Sequence, residues 1–197
     1  MSASPAPSAA KANRAIGAMF FSGFGTLWLV VGDIVARGGP DWTLATVVVA
    51  GACLAAIAWR RFQANRVARA ALEDTPRAKR IARVFNWVNA GQWVLIFVLA
   101  NVLRNLGLDT WVMPMIMAVV GLHLLPLAAV MGYRPHYVSG AALMLLAALF
   151  PFVASDGPQG AAGPFGAGLI LWASAIFGLT VGGREADPTT TGNEVAG

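Results

Sequence analysis

The stretch Arg60–Arg83, RRFQANRVARAALEDTPRAKRIAR, decides how this chain folds. It holds eight of the fourteen basic residues and no long apolar run, and long apolar segments lie on both sides of it. Carrying an Arg or Lys to the centre of a bilayer costs roughly 2.5 kcal/mol or more, and short loops rich in these residues orient the spans around them. The stretch therefore reads as a cytoplasmic basic loop, 60–80, around which apolar helices are threaded; its first half can continue as helix, and Glu73-Asp74-Thr75-Pro76 breaks it.

Composition agrees. The chain is 57% hydrophobic and only 12% charged, against about 25% charged in ordinary soluble domains, too little polar surface to cover a soluble globule. The net charge of +5 sits between apolar segments rather than on a folded face. It reads as a set of topology determinants beside anionic lipid headgroups, with the bilayer as partner and nucleic acid excluded. Cys53 is the single cysteine, which rules out an internal disulfide, a CxxC pair and any multi-thiolate zinc site.

Outward from the basic stretch, six apolar runs read as spans: 15–35, 43–59, 81–103, 111–131, 137–153 and 164–181, a transmembrane domain over 14–182. Residues 1–13 and 183–197 read as disordered tails. The first run, about 21 residues, exceeds the apolar core of a signal peptide and lacks a cleavage site. Small residues Ala18, Ser22 and Thr26 fall four apart on it, as do Ser174 and Gly178 on the last, a pattern that lets helices approach closely. Thr75 reads as an N-cap and Pro76 as the first helical residue after it. Pro114 and Pro126 predict a kink in the fourth run.

Six spans with the basic stretch inside put both termini and the Tyr133–His136 turn inside as well. Twelve Arg and Lys then lie inside and two, Arg37 and Arg104, outside, where Asp33, Asp41, Asp109 and Asp156 also fall. The expectation is an all-α polytopic membrane protein of three helical hairpins, N-in and C-in. Shifting the first hairpin by 68 residues aligns Gly23 with Gly91 and Asp41 with Asp109, a faint internal repeat.

Polar residues inside spans are the candidates for function. His123 is the one titratable side chain well inside a span. Asn86, Asn89 and Gln92 recur every three residues on the third span, read as one face at the depth of His123. Together they form a candidate substrate-binding cluster, around a cavity that binds a solute or passes protons. The competing role for the same groups is hydrogen-bonded glue between helices. Asp33 with Arg37, and Asn101 with Arg104, read as interfacial pairs. Trp42, Trp59 and Trp111 read as belt residues, and Trp28, Trp93 and Trp172 as deeper packing.

Catalytic signatures are missing: no HExxH, no GxSxG, no pair of intramembrane aspartates and no P-loop. A bis-imidazole haem needs two histidines at one depth, and His136 is assigned to the cytoplasmic turn. The expectation is a protein that is not an enzyme, with no cofactor and no metal.

At GLHLLPLA (Gly121–Ala128) and HYVSGAALM (His136–Met144), the chain resembles a family of small bacterial multi-pass membrane proteins with a Gly-Leu-His, Pro-Leu-Ala signature and no assigned function. The resemblance implies a bacterial inner-membrane protein and singles out His123 and Pro126. Two functions follow as expectations. One is binding or translocation of a small solute or ion between spans three and four. The other is a non-transporting scaffold or partner subunit using the basic loop, with a homo-oligomer as one candidate assembly.

Overall fold

The computed structural model describes residues 5–39, 41–73 and 75–184. Residues 1–4 and 185–197, where most of the expected C-terminal tail falls, lie outside the described part. Every long element is a helix, and no strand occurs among the described residues: α1 (Pro5–Arg37), α2 (Trp42–Glu73), α3 (Pro76–Asn105), α4 (Val112–Met131), α5 (Pro135–Val153) and α6 (Ala162–Arg184). Single 3-10 turns, Asp109–Trp111 and Gly157–Gln159, precede α4 and α6. All six helices are long and apolar enough to cross a membrane.

Two boundaries differ from the sequence reading. α1 starts at Pro5 rather than near residue 14, and Ala9, Ala12, Ala15 and Ala18 are all buried along its length. Alanine is the strongest helix former, and these small side chains, winding round the helix, let more than one neighbour approach closely. Most of the basic stretch is helix: as expected its first half continues α2 and the break falls between Glu73 and Pro76, so no loop spans all of 60–80. α2 runs unbroken to Glu73 and α3 resumes at Pro76, so its arginines ride on helix. At ~1.5 Å per residue, the part of α2 beyond Trp59 projects roughly 20 Å past its apolar segment. The Arg61 guanidinium donates to the Leu179 carbonyl of α6, and Arg69 Nε donates to Asn13 Oδ1 at 3.1 Å, tying this extension to its neighbours. Thr75 caps α3 as expected, accepting from the Ala78 N–H at 3.2 Å.

Each helix packs beside the next in the order α2, α1, α6, α5, α4, α3. The core lies among α1, α4, α5 and α6, where Trp28, Met117, Leu143, Phe150 and Leu171 meet. A second cluster, Ala18, Ala58, Ala175 and Leu179, joins α1, α2 and α6. Glycines set two close crossings. A Cβ on Gly121 would lie 2.7 Å from the Gly140 carbonyl oxygen, and one on Gly140 equally close to that of Gly121. Gly25 and Gly168 play the same part between α1 and α6, where Trp172 Nε1 also donates to Ser22 O and Thr26 Oγ1 at 3.3 and 3.2 Å.

α2 and α3 contribute little to the core. Trp87, Val94, Phe97 and Val98 stand exposed along α3. Water would penalise such a surface by about 25 cal/mol for each Å², whereas hydrocarbon does not. One end of the bundle carries the α2–α3 and α4–α5 turns and most of the cations: the basic end. The acidic end carries Asp33, Asp41, Asp109 and Asp156.

Candidate functional site

The four residues grouped by sequence do not form a connected cluster. His123 is half-buried on α4, and its Nδ1 lies 2.8 Å from the Val120 carbonyl oxygen, a contact within its own helix. Gln92 is the one buried residue of α3 among those described, and its Oε1 is enclosed without a hydrogen-bond partner. Asn89 is half-buried and Asn86 is exposed. No hydrogen bond among the described residues joins these four. The reason is angular. A three-residue step turns a helix by ~300°, so each successive residue falls about 60° further round, and Asn86 and Gln92 end roughly 120° apart.

A different polar group gathers at the basic end, centred on His136, which sequence reasoning assigned to a turn. Gly132, in the left-handed conformation (φ 65°), ends α4, and its N–H returns to the Ala128 carbonyl. Two residues of turn follow, and Pro135 starts α5, so His136 already sits inside that helix. There it shares a buried face with Ser139, Gly140, Leu143, Ala147 and Phe150. That spacing of three and four was available in the sequence and is the signal that could have found it.

His136 is 9% exposed. Its ring meets Phe21 of α1 edge-on at 5.3 Å and Tyr133 at 4.8 Å. The tight α4–α5 crossing at Gly121 and Gly140 brings His123 near enough to interact electrostatically with it. Among the described residues its Nδ1 is enclosed without a hydrogen-bond partner, and so is the Tyr133 Oη. A Cβ on Gly178 of α6 would stand 3.6 Å from that Oη. The Arg14 guanidinium lies 6.0 Å from the Tyr133 ring centre. Burial raises the Tyr133 phenol above its ordinary value of 10.0, partly opposed by the Arg14 charge.

One turn further on, Ser139 and Ser174 hydroxyls are 2.6 Å apart. Each also faces a carbonyl of its own helix, Pro135 O at 3.1 Å and Ile170 O at 2.7 Å. With one proton on each hydroxyl, the pair has two hydrogen-bonded arrangements running in opposite directions, one ending on Ile170 O and the other on the more distant Pro135 O.

The acidic end holds a separate network, in which Asp33 Oδ2 is enclosed without a hydrogen-bond partner among the described residues. Asp33 is almost fully buried; its Oδ1 accepts from Arg37 Nε at 2.8 Å, the ion pair the sequence suggested, and lies 2.7 Å from Thr43 Oγ1, whose single proton is shared between Asp33 and Asp41. Asn101 does not pair with Arg104: its Nδ2 donates to the Phe97 carbonyl at 2.7 Å. Asp41 caps α2, accepting from the Thr43 and Leu44 N–H groups at 2.8 and 3.1 Å. The Thr43 hydroxyl, with these N–H groups and Arg37, holds the Asp41 carboxyl below its ordinary value against the effect of desolvation. Close by, a cavity of about 340 Å³ is lined by Arg104, Asp109, Thr110 and Gln159. An apolar groove of about 590 Å³ runs between α3, α4 and α5 past Leu103, Trp111 and Met144. Neither is lined by the residues grouped from sequence. Among the described residues, no group of three or more His, Cys, Asp or Glu could hold a metal ion.

Fold and site together define an all-helical chain with six helices able to cross a membrane and a buried polar group at its basic end. No protein-family model, curated protein or solved structure matches it.

Proposed function

We propose that this chain is a multi-pass protein of the bacterial inner membrane that binds or translocates a small solute or ion between its helices, at the His136–Tyr133–His123 group. The orientation rests on charge. Twelve of fourteen Arg and Lys belong to the basic end or its flanking segments, which puts that end and both termini in the cytoplasm and arranges the helices as three hairpins. The 121–128 and 136–144 segments, with their resemblance to small bacterial membrane proteins, support the inner membrane.

One observation carries the functional reading: of the four enclosed polar atoms without a hydrogen-bond partner among the described residues, two, His136 Nδ1 and Tyr133 Oη, belong to one group. Leaving such a group unsatisfied costs about 1–3 kcal/mol, and the enclosure of both atoms keeps bulk water from offsetting it. A bound solute, ion or proton-carrying water between them removes that cost. The site therefore lies between α1, α4, α5 and α6, rather than between α3 and α4.

The test is uptake of a mixed pool of small metabolites and inorganic ions into proteoliposomes, with Tyr133→Phe and His136→Gln as variants. The reading expects at least one species to accumulate with the native chain and to be lost in variants that melt at the native temperature. Equal uptake by native and variant proteins, or none from the whole pool, defeats it.

The second reading, a non-transporting scaffold, draws on the α2 extension. Arg60 and Arg66 stand exposed on it, as do Arg77, Arg80 and Arg83 on the start of α3. Each such cation near an anionic leaflet is worth about 1 kcal/mol. Flotation with vesicles of increasing anionic lipid content tests it: tighter binding by the native chain than by a five-fold Gln variant is expected, and equal binding counts against it.

A further inference from the structure

We infer that the turn joining α3 to α4 carries a phospholipid site. An acyl chain lies in the apolar groove between α3, α4 and α5, and a zwitterionic headgroup, phosphate with ammonium, meets Arg104 and Asp109. The inference rests on the helices crossing a bilayer and not on the reading of the His136 group, which lies at the opposite end.

The groove fixes what kind of matter fills it. Its volume is about 590 Å³ and every residue lining it is apolar, among them Leu99, Leu103, Trp111, Met115 and Met144. It follows α4 from Trp111 to Ala118, roughly 10 Å at ~1.5 Å per residue. Water settles in a cavity only where two to four polar partners hold it, and these side chains offer none. Val102 and Leu108, which also line the groove, stand exposed. It therefore opens sideways, where a bilayer supplies hydrocarbon, and an acyl chain is the filler at hand.

The same turn builds the polar end. Leu103, Leu108 and Trp111 line the groove, while their chain neighbours Arg104, Asp109 and Thr110 line the cavity of about 340 Å³ beside it. Apolar and charged walls thus meet along one short segment, the division an amphiphile matches. Arg104 Nε and Asp109 Oδ1 stand 3.9 Å apart, too far for a hydrogen bond, and the two side chains are 63% and 67% exposed, so each keeps capacity for another partner. Arg37, the other cation of this end, is already held by Asp33 at 2.8 Å and Asp41 at 3.4 Å. Every charged residue of the segments forming this end is described, four aspartates against two arginines. An anionic lipid would meet that excess of negative charge. A phosphate on the Arg104 guanidinium with an ammonium on the Asp109 carboxylate satisfies both signs at once.

Native mass spectrometry of the full chain, titrated in detergent with single lipids, counts the bound molecules and gives each Kd. Dioleoyl phosphatidylethanolamine, dioleoyl phosphatidylglycerol and dioleoylglycerol share their chains and differ in head, and glycerophosphoethanolamine is the first head without chains. The expected result is one phosphatidylethanolamine bound about tenfold or more tighter than the other two lipids, with no competition from glycerophosphoethanolamine. Arg104→Gln should weaken that Kd about tenfold, and Asp109→Asn should bring the ethanolamine and glycerol heads level. Ala148→Phe, which puts a ring into the groove from an exposed position of α5, should displace all three lipids. Ala141→Phe, exposed on the same helix but outside the groove, should displace none. Equal binding of the three lipids, or tighter binding of phosphatidylglycerol, overturns the inference. Competition by glycerophosphoethanolamine overturns it in favour of a site for the free head, and lipid binding that survives Ala148→Phe unchanged removes the groove from it. The lipid series on the native chain decides the matter even where a variant fails to fold. Each of these results leaves the His136 group to the uptake assay.

Discussion

Gly121→Ala at the α4–α5 crossing separates specific packing from general greasiness. The new Cβ would lie 2.7 Å from the Gly140 carbonyl oxygen and 2.8 Å from Met144 Cγ. A carbon needs about 3.3 Å from a carbonyl oxygen, so the crossing must open by roughly 0.6 Å. Overpacking of this size costs about 1–3 kcal/mol. Gly140→Ala strikes the mirror-image contact, and one opening relieves both, so the double variant should cost less than the sum of the singles. Gly23→Ala and Gly91→Ala are the controls, since an added Cβ there meets nothing within 4 Å. Reversible unfolding by SDS in bicelles measures all five. The variants at 121 and 140 should lose stability and the controls should hold level or gain slightly. Because His123 and His136 flank the crossing, opening it should also weaken solute binding. Equal effects at Gly121 and Gly91 would refute the packing argument.

Four further outcomes follow from particular contacts. Arg37→Ala should cost more than Asp33→Asn, about 2 kcal/mol against less than 1, because it strands a nearly buried carboxylate while the reverse change frees a half-exposed guanidinium. The double variant should recover most of the loss, and failure to recover contradicts the pairing. Thr75→Ala should lower stability by about 1 kcal/mol through loss of the α3 cap, seen as earlier exchange of the α3 N-terminal amides; unchanged exchange counts against the cap. In a Tyr137→Phe protein, where Tyr133 is the sole tyrosine, ultraviolet titration should place its ionisation above pH 10.0. Since the folded phenol is the weaker acid, the stability it confers is complete below pH 10 and disappears as pH rises from there through the folded value; ionisation at or below pH 10 contradicts its burial. The Asp41 contribution has the opposite sign, present at neutral pH and lost as pH falls below 3.8 through the lower folded value. Asp41→Asn should therefore flatten the acid limb of the melting curve, and an unaltered limb argues against the cap.

The six helices are legible because hydropathy and charge act over whole segments, and no single residue decides them. Thr75 and Pro76 are legible for the complementary reason: capping is local chemistry, complete within four residues. The N-terminal segment is misread where composition stands for conformation, and the basic stretch only in being taken as a loop over its whole length, since its helical first half and its break between Glu73 and Pro76 are legible. Arginine and alanine are good helix formers, and the partners that hold these extensions, Leu179 for Arg61 and Asn13 for Arg69, lie far away in sequence. The candidate site was half legible. His123 stands out as a titratable group in an apolar run, but its neighbourhood depends on which helices touch. His136 was hidden by its place beside a turn, although Pro135 and the spacing to Ser139 and Leu143 already put it on a buried helical face.

All of this depends on six helices crossing the bilayer with the basic end in the cytoplasm, and single-cysteine labelling tests that most directly. With Cys53 replaced by alanine, Ala70→Cys reports on the basic end and Leu106→Cys on the acidic end. An impermeant maleimide added to intact bacterial cells, with the outer membrane opened, should label the cysteine at 106 at once and the one at 70 only after the inner membrane is broken. The reverse order, or equal labelling of both in intact cells, would contradict the account.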